Sequence, residues 1–170
     1  MDLSAAILAA LLALAPHDRQ RPPPGWQETR DAYEARLGSI AGDIAAAAEG
    51  SRERAVKLIG VAWHESGFAA DVDAGRCANE SAGRCDGGRA VSLWQLQDRD
   101  RERREVYRGN RREAAREALR RIERSERACA ANGPMEALAI YAGGTCSLLS
   151  AKAAARGLWA SVERTRRVLR

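Results

Sequence analysis

The segment that most constrains this chain is residues 52–65, RERAVKLIGVAWHE, because its apolar side chains cover most of the circumference of a helix. The apolar positions are Ala55, Val56, Leu58, Ile59, Val61, Ala62 and Trp63. A helix that is apolar on most sides is buried inside a protein rather than lying on its surface. Gly50 suits the end of a preceding helix, and Ser51 can cap this one. The segment therefore predicts a central helix around which the other elements pack.

The composition favours a mainly α fold. Of the 170 residues, 45% are hydrophobic but only 5% are aromatic, so alanine and leucine must supply the core. These residues suit helix packing better than sheet packing, and the length suits one domain. Charged residues make up 30% of the chain, with a formal net charge of +5. Such a balance favours an anionic partner: nucleic acid, anionic lipid or a cell-wall polymer.

The four cysteines fall into two local pairs, Cys77 with Cys85 and Cys129 with Cys146. Neither pair has the spacing of a zinc knuckle, and only two histidines are present to complete a metal site, so we expect no metal. Among three possible connectivities we expect disulfides within each local pair; the alternative is buried free thiols. Disulfides would indicate a protein that works outside the reducing cytosol.

Residues 1–25 combine a short apolar helix with a proline-rich linker, QRPPPG at 20–25, ahead of a domain at 26–170. The apolar run is too short to span a bilayer, and Asp2 is the only charge before it. We therefore expect a helix that packs on the domain, or a membrane-proximal segment, rather than a cleaved signal peptide.

Spacing and capping residues predict the remaining elements. We expect helices over residues 28–48, between Asn110 and Asn132, over 135–142 and from a Ser150 cap onward; a long loop at 67–91; a short strand or helix start at 92–97; and a solvated charged face at 98–108.

Glu65 is the strongest candidate for chemistry because it ends the most apolar helix. Burial disfavours the ionised carboxylate and raises its pKa. A glutamic acid that stays protonated near neutral pH can donate a proton to a leaving oxygen, as cleavage of a glycosidic bond requires. The competing interpretation is a helix-end charge paired with one of the many arginines.

Three segments, taken in order, favour the catalytic interpretation of Glu65 over a helix-end charge: HESGF at 64–68, GGRAVSLWQLQ at 87–97 and ALAIYAGG at 137–144. Their order and spacing resemble the lytic transglycosylases and goose-type lysozymes of the lysozyme-like superfamily. That family has E-S-x-F at the end of a buried helix, then G-A-x-G-L-M-Q, then A-Y-N-A-G. The resemblance covers about residues 52–146. It implies a single-domain, helical, lysozyme-like fold, with a long loop pinned by a disulfide after the catalytic helix.

The resemblance also implies roles for individual residues. Glu65 would act as general acid and then as general base, and Ser66 would fix the adjoining loop or the orientation of the glutamate. Gln95 would line the sugar cleft and bond an N-acetyl group, and Tyr141 would hydrogen-bond near Glu65 or the substrate. Trp94 is either a platform on which a sugar stacks or a core residue. Ser66, Gln95 and Tyr141 could instead serve only a turn, the backbone and the core.

Three positions depart from the family pattern. Ser92 stands in place of glycine, which it can replace if its φ is negative. Trp94 replaces methionine and Ala142 replaces asparagine. These changes bear on how substrate is held more than on the acid itself.

A second carboxylate would alter the reaction, because ordinary glycosidases use two. Asp86 and Asp73 follow Glu65 closely enough to reach a cleft, although aspartate also forms turns. The resembling transglycosylases use one glutamate: the N-acetyl group of the substrate assists departure and its C6 hydroxyl closes a 1,6-anhydro ring. Goose-type lysozymes use water. His64 points away from Glu65 on a helix, so we expect it to pack rather than to act with Glu65.

The sequence therefore predicts an enzyme that cuts the β-1,4 bond between N-acetylmuramic acid (MurNAc) and N-acetylglucosamine (GlcNAc) of peptidoglycan, of the lytic transglycosylase type. Alternatives are a hydrolytic muramidase of the same fold and a non-catalytic basic module that binds cell wall or nucleic acid through arginine-rich residues 101–127. We expect a monomer with no cofactor, no nucleic-acid partner and no membrane span. It would act in the periplasm, as a secreted protein or on a virion.

Overall fold

The central element is the predicted one, a helix at Arg52–Ser66 that begins at a Ser51 cap and ends at Gly67. In the computed structural model, which describes residues 2–77 and 85–170, Leu58, Ile59 and Val61 of this helix are fully buried. It packs most extensively against the C-terminal helix, and Gly60 lies directly against Val162 of that helix. The apolar circumference read from the sequence thus corresponds to burial from several sides.

Helices form most of the described chain, as expected. In chain order the helices are α1 (Leu3–Leu14), α2 (Arg30–Ala48), α3 (Arg52–Ser66), α4 (Ala70–Asp73), α5 (Cys85–Gly88), α6 (Arg101–Gly109), α7 (Arg111–Ala128), α8 (Ala139–Gly143) and α9 (Leu149–Val168). Short 3₁₀ turns lie at His17–Arg19, Ala130–Asn132 and Pro134–Glu136. The mainly α class is confirmed.

The N-terminal segment joins the same core as the rest of the chain. Ile7 and Leu11 of α1 are fully buried, and the Tyr33 hydroxyl of α2 donates a hydrogen bond to the Ala15 carbonyl that follows α1. The expected helix that packs on the domain is therefore present, and the proline-rich segment connects two parts of one core. In the described part of the chain, no helix is long and apolar enough to cross a membrane.

Side-chain caps explain the starts of four of these helices. The side chains of Thr29, Ser51, Asp100 and Asn110 accept backbone N–H bonds at the starts of α2, α3, α6 and α7. The charged stretch at 98–108 is a helix for most of its length, with only Tyr107 buried on α6. The Ser150 cap is wrong: α9 begins after Leu148, and Ser150 lies within its first turn. Near this start Ala151 packs closely against Gly143, where an added Cβ would lie 2.7 Å from the Ala151 Cβ.

The predicted loop at 67–91 contains α4, α5 and a short strand in its described part, and its residues 78–84 lie outside the described residues. Strands β1 (Ala90–Val91) and β2 (Leu96–Gln97) pair antiparallel, so residues 92–97 contain a strand rather than a helix start. Both predicted disulfides are present, Cys77–Cys85 before the hairpin and Cys129–Cys146 between the end of α7 and the segment before α9. The first one joins Cys77 to the residue at which α5 begins.

Candidate functional site

Glu65, the candidate acid, lies in the last turn of α3. Its carboxyl group lies at a cleft of about 990 Å³ and is largely removed from water. Burial, and secondarily the negative charge of Asp86, raise its pKa from 4.5 to about 7. Near neutral pH a substantial fraction of Glu65 is therefore protonated and able to act as an acid.

All three sequence motifs meet at this cleft. Beside Glu65, the lining residues are Cys85, Asp86, Gln95, Leu96, Gln97, Asp98, Arg103, Glu117, Arg121, Arg124 and 140–144. The second motif contributes Gln95, and the third contributes Tyr141 and the glycine turn after it. Segments far apart in the chain therefore converge on the carboxyl group that ends α3.

Of the two expected second carboxylates, Asp86 reaches the cleft. It lies in α5, where Cys85 and Asp86 have positive φ values of 52° and 49°. The disulfide to Cys77 ties down one side of this turn, and the Gln97 amide donates a hydrogen bond to the Asp86 carboxylate on the other. A cross-link and a hydrogen bond thus place a second negative charge near Glu65.

The expectation that Asp73 could serve as a second carboxylate of the cleft is wrong, because its carboxylate is paired elsewhere. Its side chain is only 4% exposed and accepts bonds of 2.7 and 2.9 Å from the Arg111 guanidinium. Arg36 adds a second cation at 3.7 Å. Asp73 therefore holds α4 to α2 and α7 as a buried ion pair, and it is not a carboxylate available to substrate.

Of the two alternatives predicted for Trp94, the structure supports a core residue and contradicts a platform on which a sugar stacks. Its side chain is 0% exposed, and its indole N–H donates a 2.9 Å hydrogen bond to the Leu58 carbonyl of α3. A ring that is buried on both faces offers no surface on which a sugar could stack. Trp94 fixes the hairpin turn to the central helix instead.

Gln95 lies at the cleft but is held by its own turn. Its side-chain amide donates a 3.1 Å hydrogen bond to the Ser92 carbonyl, and its φ is 48°. This bond uses the amide N–H of Gln95, so the amide oxygen stays available to accept a hydrogen bond from a ligand. Ser92 has a φ of 67°, so the negative φ under which serine would replace glycine without strain is not the one adopted.

Tyr141 joins the third motif to the second. Its hydroxyl donates a 2.7 Å hydrogen bond to the Trp94 carbonyl, and its backbone N–H donates to the Ser125 hydroxyl at 3.2 Å. Burial, and secondarily the charge of Glu65, raise the pKa of Tyr141 well above its usual value. The phenol thus lies near Glu65 and stays protonated.

Ser66 does not act as a substrate contact. Its hydroxyl donates to the Ala62 carbonyl at 2.8 Å and accepts from the Phe68 N–H at 3.3 Å. It borders a smaller pocket of about 390 Å³ formed with the proline-rich segment, away from the Glu65 cleft. The Ser66 hydroxyl closes the turn after Glu65, as expected if it fixes the adjoining loop. The expectation that Ser66 binds substrate at the Glu65 cleft is wrong.

His64 is exposed at one side, but its ring contacts α9 and does not line the Glu65 cleft. Its Nδ1 lies 3.4 Å from the Ser161 hydroxyl of α9, and a methyl group added at Gly157 would come within 3.0 Å of its ring. Partial burial lowers the pKa of His64. The ring therefore contacts α9, as the helical offset between neighbouring residues predicts.

One wall of the cleft was not among the predicted site residues; it is formed by Glu117, Arg121 and Arg124 of α7. These positions follow the i, i+4, i+7 spacing of one helix face, which is the pattern that could have identified them. Arg121 donates to Glu117 at 2.7 Å and to Asp98 at 3.2 Å, so one cation bridges two acids. This wall is polar and charged rather than apolar.

The described residues contain no group of three or more His, Cys, Asp or Glu side chains arranged to hold a metal ion. What they do assemble is a partly buried acid, a second carboxylate, a polar amide and a neutral phenol around one open cleft. Comparison with known proteins adds nothing to this geometry: no family model matches the chain, and no curated protein or solved structure does so either.

Proposed function

We propose that this chain is a peptidoglycan-cleaving enzyme of the lytic transglycosylase type, with a lysozyme-like fold, and that Glu65 is its acid and base. The observation that carries the proposal is the partly buried Glu65 carboxyl, with its pKa raised to about 7, in the cleft that also contains Gln95 and Tyr141. The order of the three motifs and their convergence on one cleft support the same reaction.

The proposed reaction moves two protons through Glu65: one is donated to the leaving group, and a different one is accepted from the substrate. Protonated Glu65 donates its proton to the oxygen that links MurNAc to GlcNAc, and that bond breaks as the GlcNAc hydroxyl leaves. The N-acetyl group of the substrate stabilises the positive charge that develops at the anomeric carbon. The Glu65 carboxylate then accepts the proton of the C6 hydroxyl of MurNAc, whose oxygen closes the 1,6-anhydro ring, and the acid is restored.

Asp86 favours a second candidate, a hydrolytic muramidase at the same site. Two carboxylates at one cleft can divide the work of acid and base, with water as the acceptor. In that reaction Asp86 orients or deprotonates water while Glu65 donates its proton. The two candidates share every residue except the one that handles the acceptor, so their products distinguish them.

The non-catalytic basic module has less support. Most arginines of residues 101–127 are paired with acids on the same surface, including Arg108 with Glu105 at 2.9 Å and Arg116 with Glu113 at 2.5 Å. Cations already neutralised by neighbouring carboxylates contribute little to binding a polyanion. The two disulfides are compatible with the proposed extracytoplasmic location.

The test is digestion of purified peptidoglycan by the full chain, followed by mass spectrometry of the soluble muropeptides. Anhydro ends identify a transglycosylase and reducing ends a muramidase. Glu65→Gln keeps the shape of the side chain but removes the acid, so release should stop. Glu34→Gln, on the exposed face of α2, is the matched control and should release products like the parent. Equal release by parent and Glu65→Gln would refute the role of Glu65.

A further inference from the structure

Arg124 differs from the other arginine that α7 contributes to the cleft. Arg121 is occupied: it donates to the Gln97 carbonyl at 2.6 Å and to two acids, as described above. Arg124 lines the same cleft, is exposed, and has no ion pair or hydrogen bond with the described residues. Its guanidinium therefore brings a positive charge and five unused donors to the cleft.

The backbone that carries Arg124 is well anchored. The neighbouring Ser125 is fully buried, and its hydroxyl donates to the Ala137 carbonyl at 2.9 Å and accepts from the Tyr141 N–H at 3.2 Å. These bonds fix α7 to the segment that carries Tyr141. Arg124 thus projects from a rigid wall whose position relative to the candidate catalytic centre is determined by the core.

The remaining charges of the cleft are unfavourable for an anion. Asp86, Asp98 and Glu117 are acidic, and Arg121 is neutralised by the last two. Arg103 is near Asp100, at 3.7 Å. A carboxylate on a bound ligand would be repelled by Asp86 and drawn toward Arg124, so the cleft is electrostatically asymmetric.

We propose that Arg124 is a specificity residue that binds a carboxylate carried by the muramic acid residue of the glycan strand. The proposal rests on the proposed function, because it names the substituent that the same cleft would select. A guanidinium matches a carboxylate in a two-bond geometry that a neutral hydroxyl cannot provide. Two sources carry this chemistry: the lactyl carboxylate of a peptide-free strand and the carboxylates of a stem peptide.

The experiment measures binding in the Glu65→Gln chain, so that no ligand is consumed. Isothermal titration calorimetry at pH 6 compares three ligands: neutral chitotetraose, a peptide-free GlcNAc–MurNAc tetrasaccharide, and the same tetrasaccharide carrying stem peptides. Each is titrated into chains that also carry Arg124→Gln or Arg127→Gln. Arg127 is the matched control, because it is an exposed arginine of α7 with no partner among the described residues and is not among the residues lining the cleft.

We expect Arg124→Gln to weaken binding of one or both acidic ligands about tenfold, to leave chitotetraose unchanged and to abolish the salt dependence of acidic-ligand binding. Arg127→Gln should match the background chain. The acidic ligand that responds identifies the source of the carboxylate. Equal weakening for the neutral ligand, or no change for either acidic one, would overturn the proposal.

Failure of the subsite and failure of the proposed function are separable. A parent chain that digests peptidoglycan but shows no Arg124-dependent preference retains the function and loses the subsite. A chain that binds acidic glycans through Arg124 but releases no product retains the subsite and loses the proposed catalysis.

Discussion

The Tyr141 hydroxyl donates a hydrogen bond of 2.7 Å to the backbone carbonyl of Trp94. Trp94 in turn donates its indole N–H to the Leu58 carbonyl of α3 at 2.9 Å. Two hydrogen bonds thus join α8, the hairpin turn and the helix that carries Glu65. The cleft is held by buried bonds to backbone carbonyls, so its geometry depends on the same contacts that stabilise the core.

Replacing Tyr141 with phenylalanine should test this connection. The substitution keeps the ring but leaves the Trp94 carbonyl without the phenol donor, which should lower the free energy of unfolding by about 1–2 kcal/mol. Urea unfolding followed by circular dichroism measures the loss. Tyr107→Phe on α6 is a control with a hydroxyl that makes no hydrogen bond to another described residue, and it should be nearly neutral. Equal effects of the two variants would argue against the connection.

Glu65→Gln should gain stability relative to the parent as pH rises. The carboxyl has a folded-state pKa of about 7 against 4.5 in the unfolded chain. The stability associated with its neutral form is fully present below pH 4.5 and is lost as pH rises through 7. Glutamine does not titrate. The variant should therefore gain up to about 2 kcal/mol between these limits, less than the full shift because solvent partly screens the group. Thermal unfolding at pH 4 and pH 8 gives the comparison, and an unchanged difference would contradict it.

Asp86→Asn should move the alkaline limb of the pH–rate profile to lower pH. Asp86 raises the pKa of Glu65 through its negative charge, so removing that charge lets Glu65 lose its proton earlier. Release of muropeptides measured from pH 5 to 9 gives the limb. A transglycosylase should retain turnover with a shifted limb, whereas a muramidase that relies on Asp86 should lose turnover.

Asp73→Asn is the control for Asp86→Asn. Asp73 is buried beside Arg111 and Arg36, so its loss should lower stability by about 3 kcal/mol without moving the limb. A limb that shifted equally in both variants would show that the effect does not come from charge at the cleft.

Ser92→Gly should stabilise the protein by about 1 kcal/mol. Ser92 has a left-handed φ of 67°, which glycine adopts without a clash at Cβ. Its hydroxyl is buried with no partner among the described residues, and glycine removes it. Ser92→Ala separates the two causes, because it removes the hydroxyl but keeps the strain, and should gain less. A loss of stability in Ser92→Gly, measured by urea unfolding, would contradict this account.

Gly60→Ala should destabilise the contact between α3 and α9 by about 2 kcal/mol. A Cβ at this position would lie 2.6 Å from the Val162 Cα, and backbone cannot move aside as a flexible side chain can. Gly42→Ala on α2 is the matched control, since a Cβ there meets nothing within 4 Å. It should raise stability by about 0.5–1 kcal/mol through helix propensity. Thermal unfolding of both variants checks the opposite signs.

Several features of the fold could be predicted because they depend on neighbouring residues. The apolar circumference of 52–65 predicts a buried helix, and Ser51 and Asn110 cap helices through their own N–H groups. Cys77 and Cys85, like Cys129 and Cys146, are close enough in sequence to pair without knowledge of the fold. The last helix start could not be predicted in this way, because α9 begins after Leu148 without a side-chain cap, and Ser150 lies inside its first turn.

The candidate site divides in the same manner. The position of Glu65 at the end of an apolar helix can be read from neighbouring residues alone, and it is enough to predict a perturbed acid. The packing of distant elements is what brings Asp86 near this acid, pairs Asp73 with Arg111 and buries Trp94. The same holds for the wall formed by Arg121 and Arg124. The reason is physical: burial and charge pairing depend on which distant elements pack together, whereas helix periodicity and capping depend on residues within a turn or two.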